Sequence, residues 1–139
     1  MYVDTSAVVK LFVAEPDSEA CEAIVSGTTL VSSRLLYCEF RSAIFAKVSR
    51  GAIGAGSAAE IWEEFEDRIA VRSIQFLALD DLVVRDAAGL LAELHPNVQL
   101  RTLDALHLAT FLGADVGPLF TKDARMLRAA ALLGLPLAG

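Results

Sequence analysis

Along this chain, short apolar or β-branched runs bounded by turn residues alternate with longer stretches whose apolar residues recur at helical spacing. Tyr2-Val3 starts the first run and gives way at once to Asp4-Thr5-Ser6, three residue types that cap helices, after which Ala7 to Phe12 has helical composition. Glu15-Pro16-Asp17 breaks the pattern. Ser18 to Val25 then predicts a short helix closed by Gly27, and Thr28 to Ser32 predicts a second strand. Arg34 to Arg50 predicts a longer helix carrying Leu36, Phe40, Ala43, Ile44 and Val48 at helical spacing. After the glycine-rich segment Gly51 to Gly56, Ser57 to Ile69 predicts a helix capped by Ser57 with Glu60 three residues on, forming a hairpin with the helix before it. No strand precedes those glycines, so they read as a turn and not as a phosphate cradle. Val71 to Leu79 predicts a third strand, and Asp80-Asp81 open a helix that runs to about Leu94, where His95-Pro96-Asn97 breaks it. Arg101 to Ala114 predicts a strongly apolar helix, Gly117 to Thr121 a fourth strand, and Asp123 to Leu133 a helix with Gly134 past its end. Leu135-Pro136-Leu137 predicts a minimal last strand, confined to a sheet edge by its proline.

Strands that alternate with helices favour a mainly parallel sheet covered on both faces, a three-layer α/β/α sandwich. The 139 residues carry no repeat, linker or low-complexity segment, and are expected to form a single domain over 1–139. Hydrophobic residues make up 55% and charged ones 22%, so the chain can pack a core and is not expected to be disordered. The formal net charge of −6 argues against a protein that coats nucleic acid electrostatically. It leaves room for an enzyme that holds phosphates through bound cations, whose charge the sequence does not count. Cys21 and Cys38 are too few and too far apart for a zinc motif or disulfide scaffold, and are expected to be buried free thiols. Asp4 and Lys10 interrupt what a signal peptide would need as an apolar run, and no uncharged stretch approaches a membrane span, so a cytoplasmic location without membrane attachment is expected.

Four carboxylates stand out from their surroundings. Asp4 ends the first strand, Glu39 interrupts an apolar helix, Asp104 lies in an almost wholly apolar helix, and Asp123 follows the fourth strand. Each has an ordinary explanation: Asp4 and Asp123 can cap helices, Glu39 can edge an apolar stripe, and Asp104 can share a polar stripe with His107 and Thr110. Together they point elsewhere, because residues that follow parallel strands share the rim where α/β folds place ligands. Two bare carboxylates about 4 Å apart repel by roughly 4 kcal/mol at an effective dielectric near 20, so such a cluster calls for a proton or a cation. Oxygen ligands without cysteine suit Mg²⁺ or Mn²⁺, and such a site polarises a phosphoryl oxygen and activates water. Phosphodiester hydrolysis is the chemistry this set suits.

The segments M-Y-V-D-T-S-A-V-V-K-L-F, L-L-Y-C-E-F-R-S-A, L-R-T-L-D-A-L-H-L-A and L-F-T-K-D-A-R-M-L-R-A-A closely resemble the four acidic motifs of PIN-domain ribonucleases, in particular VapC-type toxins of toxin–antitoxin pairs. The resemblance spans essentially the whole chain in order. It implies a parallel sheet of about five strands flanked by helices and a Mg²⁺- or Mn²⁺-dependent endoribonuclease acting on RNA such as tRNA or rRNA. It also implies that Asp4, Glu39, Asp104 and Asp123 are the catalytic, metal-binding residues, and that Ser6 and Thr121 support them from behind. A homodimer and a small cognate antitoxin lying over the acidic groove are further implications.

Two other classes fit parts of the pattern. A PIN-fold module that only binds RNA or protein would be expected to lack an acidic residue, and none is lost here. A phosphoryl-accepting regulator wants an acidic pair directly after its first strand, where only Asp4 stands. Among the remaining polar residues, His107 shares a helix face with Asp104 but is expected in a packing or polar-stripe role. Arg101, Lys122 and Arg125 flank the acidic motifs and suit either RNA phosphates or a solvated surface. Trp62 and Phe65 are expected to pack against a neighbouring element.

Overall fold

A computed structural model describes residues 1–139. Strands β1 (Tyr2–Val3), β2 (Leu30–Ser33), β3 (Ile74–Leu77) and β4 (Leu119–Phe120) form a parallel sheet in the order β3-β2-β1-β4. The expected last strand is reduced to a single parallel bridge between Leu119 and Leu137. Pro136 contributes its carbonyl to the Leu119 N–H and Ala138 donates to the Leu119 carbonyl, both at 2.9 Å, and the proline has no N–H with which to continue the ladder. The sheet therefore has four strands and not about five. β3 begins three residues later than expected because Val71 ends the helix before it and Arg72 turns the chain at a φ of 61°.

Period-two alternation sends successive strand residues to opposite faces, and that alternation builds two cores. Val3, Leu30, Ile74 and Phe120 face α1 (Thr5–Val9), α2 (Ser18–Val25), α3 (Leu36–Ser49) and α4 (Ala55–Ala70). Tyr2 and Leu119 face α5 (Asp81–Leu94), α6 (Thr102–Leu112) and α7 (Ala124–Leu133). This is the three-layer α/β/α sandwich. The α3/α4 hairpin closes over an aromatic cluster in which the Phe40 and Phe65 rings stack at 4.3 Å, with Phe12, Tyr37 and Trp62 packed edge-on or tilted around them.

Two helix expectations and one burial expectation are corrected. α1 stops at Val9, because Lys10, Leu11 and Phe12 donate to carbonyls three residues back and tighten the chain out of the α-helix. α4 starts at Ala55 with Gly54 as its cap, so Ser57 lies inside the first turn and caps nothing. Cys21 is buried as expected, but Cys38 is exposed. Leu36, Phe40 and Ile44 form the buried stripe of α3, and a residue two positions from Leu36 falls on the opposite side of the helix. No helix is long and apolar enough to cross a membrane.

An ion-pair network ties the α1–α2 loop to its neighbours. Lys10 pairs with Glu15 at 2.6 Å and Asp17 at 2.7 Å, Lys47 pairs with Glu15, and Lys122 pairs with Asp17 at 3.1 Å. Hydrogen bonds from Lys10 and then Lys122 lower the Asp17 carboxyl from its ordinary 3.8 to about 2. A carboxyl depressed on folding stabilises the fold above its unfolded value and ceases to do so as pH falls through the folded one. The stability lost on Asp17→Asn is therefore expected to be small and constant above about pH 5, and to shrink as pH falls from about 4 towards 2. Thermal midpoints of both proteins across that range check it, and a gap that widens in acid would contradict it.

Candidate active site

The strand order reverses between β1 and β4. The chain leaves β1 towards β2 through α1 and α2, and returns from β3 through α5 and α6 to reach β4 on the other side. Connections that diverge in this way leave a crevice at the carboxyl ends of the two central strands. Asp4 follows β1 and Thr121 follows β4, directly at that crevice.

Asp4 does cap α1, accepting the Ala7 N–H at 3.1 Å. It also accepts from Ser6 Oγ at 2.8 Å and from Thr121 Oγ1 at 2.8 Å, and it is only 4% exposed. Burial raises its pKa above the ordinary aspartate value, against the opposing pull of the hydrogen bonds from Ser6, Ala7 and Thr121. Ser6 Oγ spans both carboxylate oxygens, 2.8 Å from Oδ1 and 2.9 Å from Oδ2, with Ala7 on the first and Thr121 on the second. Ser6 and Thr121 are themselves fixed, because Ser6 Oγ accepts the Lys122 N–H at 2.9 Å and Thr121 Oγ1 accepts the Asp123 N–H at 3.0 Å. The loops after β1 and β4 are thereby stitched together behind the carboxylate.

Glu39 enters from α3. Its Oε1 accepts from Thr5 Oγ1 at 3.0 Å and lies 2.6 Å from His107 Nε2, while Oε2 accepts no hydrogen bond within the chain. Asp104, in the first turn of α6, accepts the Arg101 N–H at 3.0 Å and Arg101 Nε at 3.2 Å. Asp123 caps α7 through Oδ1, which accepts the N–H groups of Arg125 and Met126, and its Oδ2 accepts from Arg101 Nη2 at 3.1 Å. Arg101 therefore stands between Asp104 and Asp123. A cleft of about 330 Å³ lined by Glu39, Arg101, Thr102, Leu103 and Asp104 opens on this rim.

Glu39 and Asp104 line this cleft, and Arg101 and Thr121 link Asp123 and Asp4 to the same rim, yet no three His, Cys, Asp or Glu side chains lie close enough together to form a ready-made metal cage. The guanidinium of Arg101 supplies the counter-charge between two of them, and Asp104 above all, then Asp123 and Glu39, hold it in its charged form. The donor chemistry fits a hard divalent cation: carboxylate oxygens without thiolate, with Glu39 Oε2 unengaged.

Of the flanking basic residues, Lys122 pairs with Asp17 away from the carboxylates and Arg125 contributes only its backbone N–H to Asp123, so Arg101 alone reaches the acidic groups. Trp62 and Phe65 pack within the α3/α4 hairpin as expected. His107 is buried and packed as expected, and beyond that it is joined to Glu39 and Tyr2 by hydrogen bonds. Its position three residues after Asp104 was visible in the sequence, but its partners lie 68 and 105 residues away.

Fold and site together define a parallel α/β protein with an acidic crevice at the switch point of its sheet. The chain belongs to the PIN domain family, whose sequence model matches residues 1–132. It is 39% identical over 138 residues to ribonuclease VapC46 of Mycobacterium tuberculosis (strain ATCC 25618 / H37Rv), covering 97% of this chain and 93% of that protein. Ribonuclease VapC45 of M. tuberculosis (strain CDC 1551 / Oshkosh) is 35% identical over 114 residues, covering 81% of this chain and 74% of that one. The crystal structure of M. tuberculosis VapC20, a toxin that cleaves the sarcin-ricin loop, superposes with a TM-score of 0.71 over 96% of this chain and 95% of that one at 14% identity, a likeness of fold. The resemblance of the four acidic segments to PIN-domain, VapC-type proteins is borne out.

Proposed function

We propose that this chain is a divalent-cation-dependent endoribonuclease and the toxin of a type II toxin–antitoxin pair. The observation that carries this reading is the gathering of Asp4, Glu39, Asp104 and Asp123, from four separate segments of the chain, around the switch-point crevice. The 39% identity to a VapC ribonuclease over nearly the whole chain supports it. Asp4, Glu39 and Asp104 would hold a Mg²⁺ or Mn²⁺ ion, with Asp123 completing the site. Such an ion polarises a phosphoryl oxygen and makes water a stronger nucleophile near neutral pH.

The chain's own residues do the rest. Ser6 and Thr121 hold the Asp4 carboxylate in one orientation, which spares the site the cost of ordering it on each encounter. Arg101, with its side chain 62% exposed, presents a guanidinium at the mouth of the cleft, where a backbone phosphate of RNA finds a bidentate donor. RNA of the tRNA or rRNA class is the substrate, and the partners are a second copy of the chain and a small antitoxin in the cytoplasm. A basic antitoxin side chain entering the groove would inhibit by pairing with the carboxylates, as Arg101 already does with two of them.

Incubating antitoxin-free protein with a panel of tRNAs and rRNA fragments, in Mg²⁺, Mn²⁺ or chelator, tests the reading. Discrete cuts that require the metal are expected. No cleavage by folded, metal-loaded protein across the panel would favour a binding module. Arg101→Ala is expected to tighten Mn²⁺ binding by roughly three- to tenfold, because a competing cation within reach of the same oxygens is removed. Titration calorimetry at low ionic strength checks it, and an unchanged affinity would mean that the guanidinium and the ion do not compete.

A further inference from the structure

The chemistry proposed above makes no use of His107, a buried imidazole with both ring nitrogens engaged by side chains. Nε2 lies 2.6 Å from Glu39 Oε1 and Nδ1 lies 2.9 Å from the Tyr2 hydroxyl. That hydroxyl in turn accepts the Ser33 N–H at 3.2 Å, at the end of β2. An amide N–H only donates, so the tyrosine oxygen receives it and is free to direct its own hydrogen to Nδ1. A neutral ring that accepts at Nδ1 carries its hydrogen on Nε2 and donates to Glu39. A phenol carries its hydrogen at neutral pH, which is what this polarity needs. With the ring in that tautomer, the hydrogen bonds run one way through the interior, from Ser33 to Tyr2 to His107 to Glu39.

A histidine that only filled space would need no such alignment. The packing is present, with the Tyr2 ring edge-on to both His107 and Phe111, but the polar chain ends on a carboxylate that lines the cleft. Glu39 Oε1 is held twice, by His107 and Thr5, while Oε2 takes no partner from the chain. α6 therefore serves two carboxylates, carrying Asp104 itself and steering Glu39 from three residues further on.

We infer that His107 is a positioning residue that holds Glu39 Oε1 and delivers Oε2 to the cation, with Tyr2 setting the imidazole tautomer. The inference rests on the proposal that Glu39 is a cation ligand, and the test separates the two. Mn²⁺ affinity is measured by titration calorimetry on the antitoxin-free full chain and on Glu39→Gln, His107→Leu, His107→Gln and Tyr2→Phe. His107→Leu is expected to weaken binding by roughly 10- to 100-fold, as loss of a group that orients a ligand does. His107→Gln, whose amide keeps an N–H donor, is expected to recover most of that loss, a rescue that packing alone would not produce. Tyr2→Phe keeps the ring and drops the hydroxyl, and is expected to weaken binding less than His107→Leu.

The chain has two histidines, so nitrogen NMR of the imidazoles can assign His107, and the Nε2–H tautomer is expected in the parent and a mixture in Tyr2→Phe. An Nδ1–H tautomer in the parent, or unchanged Mn²⁺ affinity in the His107 variants when Glu39→Gln has lost it, would overturn the positioning role alone. Unchanged affinity in Glu39→Gln would overturn the ligand assignment and the positioning role with it. Should His107→Leu fail to fold, the tautomer and the Gln and Phe variants still decide the matter.

Discussion

Asp4→Asn is expected to lower the rate of RNA cleavage at least about a thousandfold while leaving the fold intact. Loss of one carboxylate from a cation site forfeits several kcal/mol of transition-state stabilisation, and about 4 kcal/mol corresponds to three orders of magnitude. The replacement is otherwise conservative. Asparagine caps helices as well as aspartate does, so the Ala7 N–H keeps an acceptor, and the amide oxygen can still receive a hydroxyl from Ser6 or Thr121. Single-turnover cleavage beside circular dichroism measures both halves of the expectation. Chelation of the parent is expected to have the same effect and to be reversed by added Mg²⁺ or Mn²⁺. A folded Asp4→Asn protein that cleaves within tenfold of the parent would remove Asp4 from the cation site.

The second large effect lies in the core beneath the site. Phe40 is fully buried, stacks on Phe65 at 4.3 Å and meets Phe12 edge-on at 5.1 Å. Phe40→Ala leaves a cavity that the hairpin of α3 and α4 cannot close without moving both helices, and is expected to cost about 3–5 kcal/mol. For a chain of this size that lowers the melting temperature by roughly 10–15 °C. Phe45, on the same helix but 51% exposed, sets the comparison. Its truncation is expected to cost about half as much or less, since half of its surface stays in water after folding. Denaturant titration of both variants checks the contrast, and similar losses for the two would mean that the hairpin is not closed over Phe40. Because Glu39 is the neighbour of Phe40 on α3, the Phe40 variant is also expected to lose Mn²⁺ affinity.

Much of this protein could be read locally. Tyr2-Val3 followed by Asp4 marks a strand that ends on a carboxylate, Asp123 followed by an amphipathic run marks a helix start, and both stand where those signals put them. Asp80 caps α5 and Gly134 turns the chain after α7 at a φ of 65°, again as local chemistry requires. Local signals misled where two neighbouring residues could each do the same job. Ser57 is a good cap, but Gly54 adopts the extended backbone that begins the helix earlier, and Ala55 is content to be helical. The fifth strand shrank to one bridge because a proline cannot extend a ladder, although its edge position was foreseen.

Element order, the α/β class and the identity of the four unusual carboxylates follow from nearest-neighbour physics: hydrophobic period, cap preference and turn residues. The convergence of those carboxylates depends on a strand order, β3-β2-β1-β4, that no local pattern encodes. That order brings Thr121 to Asp4 across 117 positions, sets Arg101 between Asp104 and Asp123, and joins His107 to Glu39 across 68. A hydrogen bond depends on separation in space to within a few tenths of an ångström, and separation along the chain carries no such information. The residues that supply the charges could therefore be named from the sequence, whereas the residues that hold and neutralise them acquired their roles when the two central strands came side by side.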